Sequence, residues 1–302
     1  MPANSCKRIT WAGWLLAAAL VTTGCSGISN FPWQSNLPPA QQRIEKKADA
    51  GDRNAQYSLG LYYSSSADHT DYAKAADWYR KAADQGHAGA QYMLGQAYLV
   101  GRGITRDETS AVRWLEKAAR QGHGRAMYSL GDIYFNGRGV VEDQAWGVMW
   151  FGKAAARNHR EAMLSLGIAL AVGKGTDIDT PLAWAWLKKA EEQGHPDAPR
   201  AAKALEVDFT AQTMERARKT LASLSSRPVK DFHQDIPMVR YVQTALNLLR
   251  YNVGSTDGLL GPRTLTALNS YKKDAGLPLQ PVIGDALLTR LRKTTESMAT
   301  QS

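Results

Sequence analysis

The sequence predicts an all-α chain: stacked helical pairs followed by a small three-helix module. Three observations carry this. Trp78, Trp114, Trp150 and Trp186 stand 36 residues apart. Gly60, Gly95, Gly131 and Gly167 follow at steps of 35, 36 and 36, and His87, His123, His159 and His195 again step by 36. Beyond the last repeat, apolar residues at 3.6-residue spacing are punctuated by Asp257-Gly258, Gly261-Pro262 and Gly284-Asp285, which are turn and helix-start signals.

The N-terminus reads as an address. Lys7-Arg8 precede Ile9 to Val21, an uncharged run too short to span a bilayer but suited to a secretory leader. Val21-Thr22-Thr23-Gly24-Cys25 resembles a lipobox, the processing site of bacterial lipoproteins. The resemblance implies cleavage after residue 24, a diacylglyceryl group on the Cys25 sulfur and N-acylation of Cys25, palmitate being a typical chain. Two or three acyl chains give stable anchoring where one does not. Ser26, by the rule for enteric-type lipoproteins, implies outer-membrane sorting, with the protein facing the periplasm. Residues 25–39 form a tether that reaches roughly 45 Å when extended.

Loss of Lys7 and Arg8 with the leader lowers the formal charge from +9 to +7. That excess suits an anionic wall or lipid surface. Without basic runs interleaved with aromatics it does not point to nucleic acid. Cys6 and Cys25 have no downstream partner, which excludes a disulfide framework or a cysteine metal site in the folded part.

Each 36-residue unit reads as two helices. Ala90, Leu94, Ala97 and Tyr98 share one face; Ala111, Trp114, Leu115 and Ala118 share another; Gly101-Arg102-Gly103 breaks the chain between them. Gly122 stands where a helix end takes a left-handed residue. A mid-helix glycine costs about 1 kcal/mol relative to alanine, so its return in every copy points to close packing, with a neighbouring tryptophan or tyrosine filling the space. Histidine after a helix-ending glycine reads as a cap near the helix carbonyls, not a metal ligand. The tryptophan and tyrosine stripes read as core, and Gly173-Lys174-Gly175-Thr176 as a turn. No unit can bury its own apolar face, so the units must stack.

This pattern resembles the Sel-one-like repeat, a relative of the tetratricopeptide repeat, over residues 40–221 with capping helices. The resemblance implies a right-handed α-solenoid with a concave face for proteins or peptides. Residues 41–51 look like the second helix of a truncated first unit. Asn158 stands where the other copies have glycine, and the loop at residues 64–69 lacks Gly-x-Gly.

Residues 222–236 read as a linker and 294–302 as a tail. Between them, Val239 through Gln243, Tyr251, Asp257-Gly258-Leu259-Leu260-Gly261, Thr264, Ala267, Gly276-Leu277-Pro278 and Val282-Ile283-Gly284 resemble a three-helix peptidoglycan-binding domain over 237–293, its third helix ending near Leu291. Arg250 replaces the glycine usual before the tyrosine, and Tyr271-Lys272 replaces Phe-Gln. Gln243, Arg250, Asn252, Asp257, Thr264 and Tyr271 are the expected contacts to the stem peptide, with Arg250 facing a carboxylate.

No nucleophile elbow, zinc-protease motif or paired carboxylates occur, so neither catalysis nor a metal or cofactor is expected. The sequence therefore predicts a lipid-anchored scaffold of the bacterial envelope, binding an envelope protein through its repeats and peptidoglycan through its C-terminal module. The alternative is a protein-binding adaptor alone, a regulatory, secretion or exopolysaccharide accessory whose module no longer binds the wall.

Overall fold

A computed structural model describes residues 38–65, 70–226, 236–256, 258–279 and 283–299. The described residues form fourteen helices and no strand. The chain comprises two units, Met1–Arg43 and Ile44–Ser302. Of the first, only the beginning of α1 (Pro39–Asp49) is described. All later helices belong to the second.

Four helical pairs run in order: α2 (Arg53–Ser65) with α3 (Tyr72–Asp84), α4 (Ala88–Val100) with α5 (Glu108–Arg120), α6 (Gly124–Asn136) with α7 (Gln144–Ala155), and α8 (Arg160–Val172) with α9 (Thr180–Glu192). Each second helix also packs on the first helix of the next pair, so the core runs from pair to pair. α10 (Ala198–Glu206) and α11 (Ala211–Ser226) close the stack against α9. α12 (Ile236–Leu248), α13 (Pro262–Asp274) and α14 (Asp285–Ala299) form the C-terminal module. None of the described helices is long and apolar enough to cross a membrane.

The mid-helix glycines sit where the helices of a pair cross. A Cβ on Gly131 would stand 2.5 Å from the Phe151 ring and 3.1 Å from the Gly147 carbonyl. At Gly60, Gly95 and Gly167 it would meet Tyr79, Leu115 and Leu187. Tyrosine fills the space once, and tryptophan never does: the filling residue is the one after each repeated tryptophan. That residue points into the pair, whereas the indole lies one residue, or about 100°, around the helix.

The histidines cap, but at the opposite helix end from the one expected. His87, His123 and His159 are N-caps of α4, α6 and α8, where Nδ1 accepts from the N–H of Ala90, Ala126 and Ala162 at 3.1, 3.2 and 3.4 Å. In the first copy Asp52 does the same for Ala55 at 2.8 Å. The slot therefore needs an acceptor, which an imidazole offers only when neutral. Burial, with Arg125 nearby, holds the His123 pKa below its ordinary value of 6.5. Each of these rings stacks on a tyrosine of the preceding pair, Tyr57, Tyr92 and Tyr128, at 4.4 to 4.9 Å. His195 Nδ1 accepts instead from Asp197 N–H at 3.2 Å, two residues on, consistent with the decay of the repeat there.

A second series of caps spaced by 36 residues starts the other helices. Asp71, Asp107, Asp143 and Asp179 each accept from the N–H three residues on, at 2.9 to 3.0 Å. Gly101, Gly137 and Gly173 end the first helices in left-handed conformation, and Asn158 takes φ +60 where the other copies have glycine. Buried glutamines join the units: Gln56 and Gln91 donate to Ala48 O and Ala83 O, and accept from Gln85 and Gln121. The first of these bonds, Gln56 to Ala48 O, repeats the one that Gln91 makes to Ala83 O.

Gly131→Ala should lower stability by about 1–3 kcal/mol through overpacking in chemical denaturation. Gly124→Ala, whose Cβ would meet nothing nearer than 3.8 Å, should change it little. A histidine with a lowered folded pKa binds fewer protons folded than unfolded between the two values. Its contribution is complete above pH 6.5 and fades as pH falls below it. His123→Asn keeps a capping acceptor without that titration, so its melting temperature should fall less steeply between pH 7 and 5 than wild type; an unchanged slope would refute the neutral cap.

Candidate interaction surface

The C-terminal module does not stand apart from the repeats. α12 packs on α7, and one apolar core runs from Val112 through Met149, Trp150 and Met163 to Val242, Leu268 and Leu291. The Tyr241 ring lies 4.9 Å from Trp146. Two arginines of the module fasten it. Arg240, 9% exposed at its side chain, pairs with Asp179 at 2.9 Å and donates to the Asp177 carbonyl at 3.3 Å. Asp179 thereby caps α9 with one carboxylate oxygen and holds the module with the other. Arg292 donates to the Tyr134 hydroxyl at 2.7 Å, lies over the Tyr134 and Trp146 rings, and pairs with Glu296. Burial raises the Tyr134 pKa to about 12, so its hydroxyl stays protonated and donates onward to Glu116 at 3.3 Å.

Helix bounds differ from expectation on both sides of this contact. The linker begins later, since α11 runs through Ser226, and the third helix continues past Leu291 to Ala299, taking in most of the expected tail. The added turns carry Thr294, whose hydroxyl meets Tyr271, and Glu296, which pairs with Arg292. Residues 227–235, the rest of the expected linker, lie outside the described residues.

The expected wall contacts divide sharply. Gln243, 1% exposed, donates to Leu259 O and Thr264 Oγ1, both at 3.0 Å, and accepts from Gly258 N–H at 2.8 Å. It ties the turn before α13 to α12. Thr264 is buried with it. Tyr271 is buried edge-on to Tyr251, with its hydroxyl 3.2 Å from Thr294. These three side chains face inward and hold the module together; a ligand cannot reach them in this conformation. Arg250 and Asn252 are exposed on the turn after α12, both left-handed, at φ +66 and +47. The Arg250 conformation explains why glycine is usual there: a non-glycine residue in it costs about 1–2 kcal/mol. Asp257 and Cys25 lie outside the described residues.

The repeats present a different series, which the sequence held as tryptophan followed three residues later by lysine. Lys81, Lys117 and Lys153 lie over Trp78, Trp114 and Trp150, at 3.8, 3.8 and 4.7 Å from the ring centres. Trp146, Trp150, Trp184 and Trp186 are buried core, as expected of the stripes; Trp78 and Trp114 are only half-buried. Where α5, α7 and α14 meet, a cleft of about 310 Å³ opens between Trp146, Trp150 and Leu288.

Arg240→Ala strands part of the Asp179 charge and should cost about 2–4 kcal/mol, at the lower end for a breached buried pair because Asp179 keeps some solvent. Thermal melting should show the loss, and limited proteolysis should release the module first. A variant as stable and protease-resistant as wild type would show that the pair does not hold the module.

Four consecutive stretches, residues 53–87, 88–123, 124–159 and 160–195, match the Sel1 repeat model. A Sel1 repeat protein from Oxalobacter formigenes is 34% identical with a TM-score of 0.51, over 55% of this chain and 48% of that one. A protective antigen of uropathogenic Escherichia coli displaying an SLR fold is 24% identical with a TM-score of 0.54, over 87% and 57% respectively; this second likeness speaks for the fold alone. The chain spans about half the length of these two proteins. The breaks between matched stretches fall at the capping residues His87, His123 and His159, so each stretch is one helical pair with its loops. Residues 53–195 therefore match four consecutive Sel1 repeats, and the four stacked helical pairs coincide with them.

Proposed function

We propose that this chain is a scaffold of the bacterial cell envelope whose repeats bind a protein partner. Acyl chains on Cys25 hold it to a membrane, and Ser26 assigns that to the outer membrane, facing the periplasm. The observation that carries the scaffold reading is the run of four stacked Sel1 repeats with an aromatic face that the module covers only in part. The anchor rests on the sequence Val21-Thr22-Thr23-Gly24-Cys25. The reading gives the chain no catalytic step and no cofactor.

Peptidoglycan contact by the module is the second part of the reading. It is supported by the turn and helix pattern of residues 237–293 and by Arg250, which is exposed and carries the charge a stem-peptide carboxylate would meet. The inward Gln243, Thr264 and Tyr271 favour the adaptor alternative, in which the module stabilises the repeats and leaves the wall alone.

Cells fed labelled palmitate should label the wild-type protein and leave Cys25→Ala unlabelled; label on the variant would sink the anchor. The soluble form, residues 26–302, should pellet with purified peptidoglycan, and Arg250→Glu should weaken pelleting severalfold without changing the melting curve. No pelleting of the wild type would remove the wall from the function and leave the adaptor.

A further inference from the structure

We propose that the second-helix face of repeats one and two is a docking strip for an acidic segment of the partner protein, ending in the cleft against α14 at repeat three. The proposal rests on the scaffold reading and gives the partner its chemistry.

The strip is built of one recurring unit, an indole with an ammonium group above it. Trp78 with Lys81, Trp114 with Lys117 and Trp150 with Lys153 occupy equivalent positions on α3, α5 and α7. In the fourth copy Lys189 pairs with Glu192 at 2.7 Å, and the series stops there. Lys81 and Lys117 are exposed and have no carboxylate partner among the described residues. A carboxylate side chain laid against such a unit would place its methylenes on the indole and its charge on the lysine. Two open units of the same chemistry on successive repeats, leading toward a third that is buried at Trp150, suit a chain, not a single small molecule.

The face is continuous with an interface the protein already makes. Over repeat three it is covered by the module, where Leu288 and Arg292 stand beside Trp146 and Trp150. Over repeats one and two the equivalent tryptophans remain half-buried. The cleft at the junction carries an excess of positive charge: Arg120, Lys153, Arg292 and Lys293 face Glu116 and Glu296. Both glutamates are engaged, Glu116 by Tyr134 and Arg120 and Glu296 by Arg292, which leaves Lys293 as the exposed cation of the cleft outside these pairs. Charge and apolar surface thus converge where an acidic chain would end.

The test is fluorescence anisotropy on residues 26–302 with a fluorescein-labelled peptide of repeating Glu-Ser-Leu units and its Gln-Ser-Leu counterpart. The acidic peptide should bind at least about tenfold more tightly than the neutral one, with an affinity that falls as salt rises. Lys81→Glu/Lys117→Glu should lose that preference while keeping the wild-type circular dichroism and melting temperature, and Lys81→Arg/Lys117→Arg should retain it. Equal binding of the two peptides, or wild-type binding by the charge-reversed variant, overturns the strip. In-cell photo-crosslinking separates this failure from failure of the scaffold reading. A partner captured from Gln96 on the first-helix face, and unaffected by the charge reversal, keeps the scaffold and overturns the strip; no capture from Gln96 or from Arg113 on the second-helix face overturns both.

Discussion

Two helices can cross closely only where one of them presents no side chain, and Gly60, Gly95, Gly131 and Gly167 are those points. The constraint propagates. A bare Cα at the crossing lets the residue after each tryptophan enter, and in the third pair two glycines, 131 and 147, leave room for Phe135 and Phe151. With the crossing set, the tryptophan beside it is turned out of the pair, toward the face where the module lies. The helix-propensity cost of each glycine is about 1 kcal/mol; burial of a side chain such as Phe151, worth about 1.5–3 kcal/mol, offsets it.

Stacking then depends on finishing every helix end locally. Each unit has two N-termini, one met by aspartate and the other by histidine, with Asp52 doing the histidine's work in the first copy. A neutral imidazole serves where a helix start is also a contact between repeats, because it accepts a hydrogen bond and stacks flat on the tyrosine of the previous pair. The glutamines bridge the same junction. Orphan helix donors inside a stack would each cost about a hydrogen bond's desolvation, so these caps are part of what makes four pairs a single body.

The module changes what the repeats can offer. Arg240 and Arg292 reach across to Asp179, Tyr134 and Trp146, and the surface left for a partner is the part of the aromatic face that α14 does not cover. Inside the module, polar positions expected to meet the wall become internal ties, since Gln243 must satisfy the turn at Gly258 and Leu259 once that turn is packed.

The 36-residue period, the helical pairs, the left-handed helix end at Gly122, and the three helices of the module were legible in the sequence, because each is set by neighbours within a turn or two. The lysine lying over each of Trp78, Trp114 and Trp150 emerged only from the folded structure. Which residue fills the space at each glycine, and which helix end the histidine serves, was decided by packing between helices. The fate of Gln243, Thr264 and Tyr271, and the reach of Arg240 to Asp179 over 61 residues, belong to tertiary structure alone. Periodicity reports which face of a helix is apolar; it carries no record of which distant surface will cover that face. Only the folded chain shows that the module covers the aromatic face at Trp146 and Trp150 and leaves Trp78 and Trp114 half-buried.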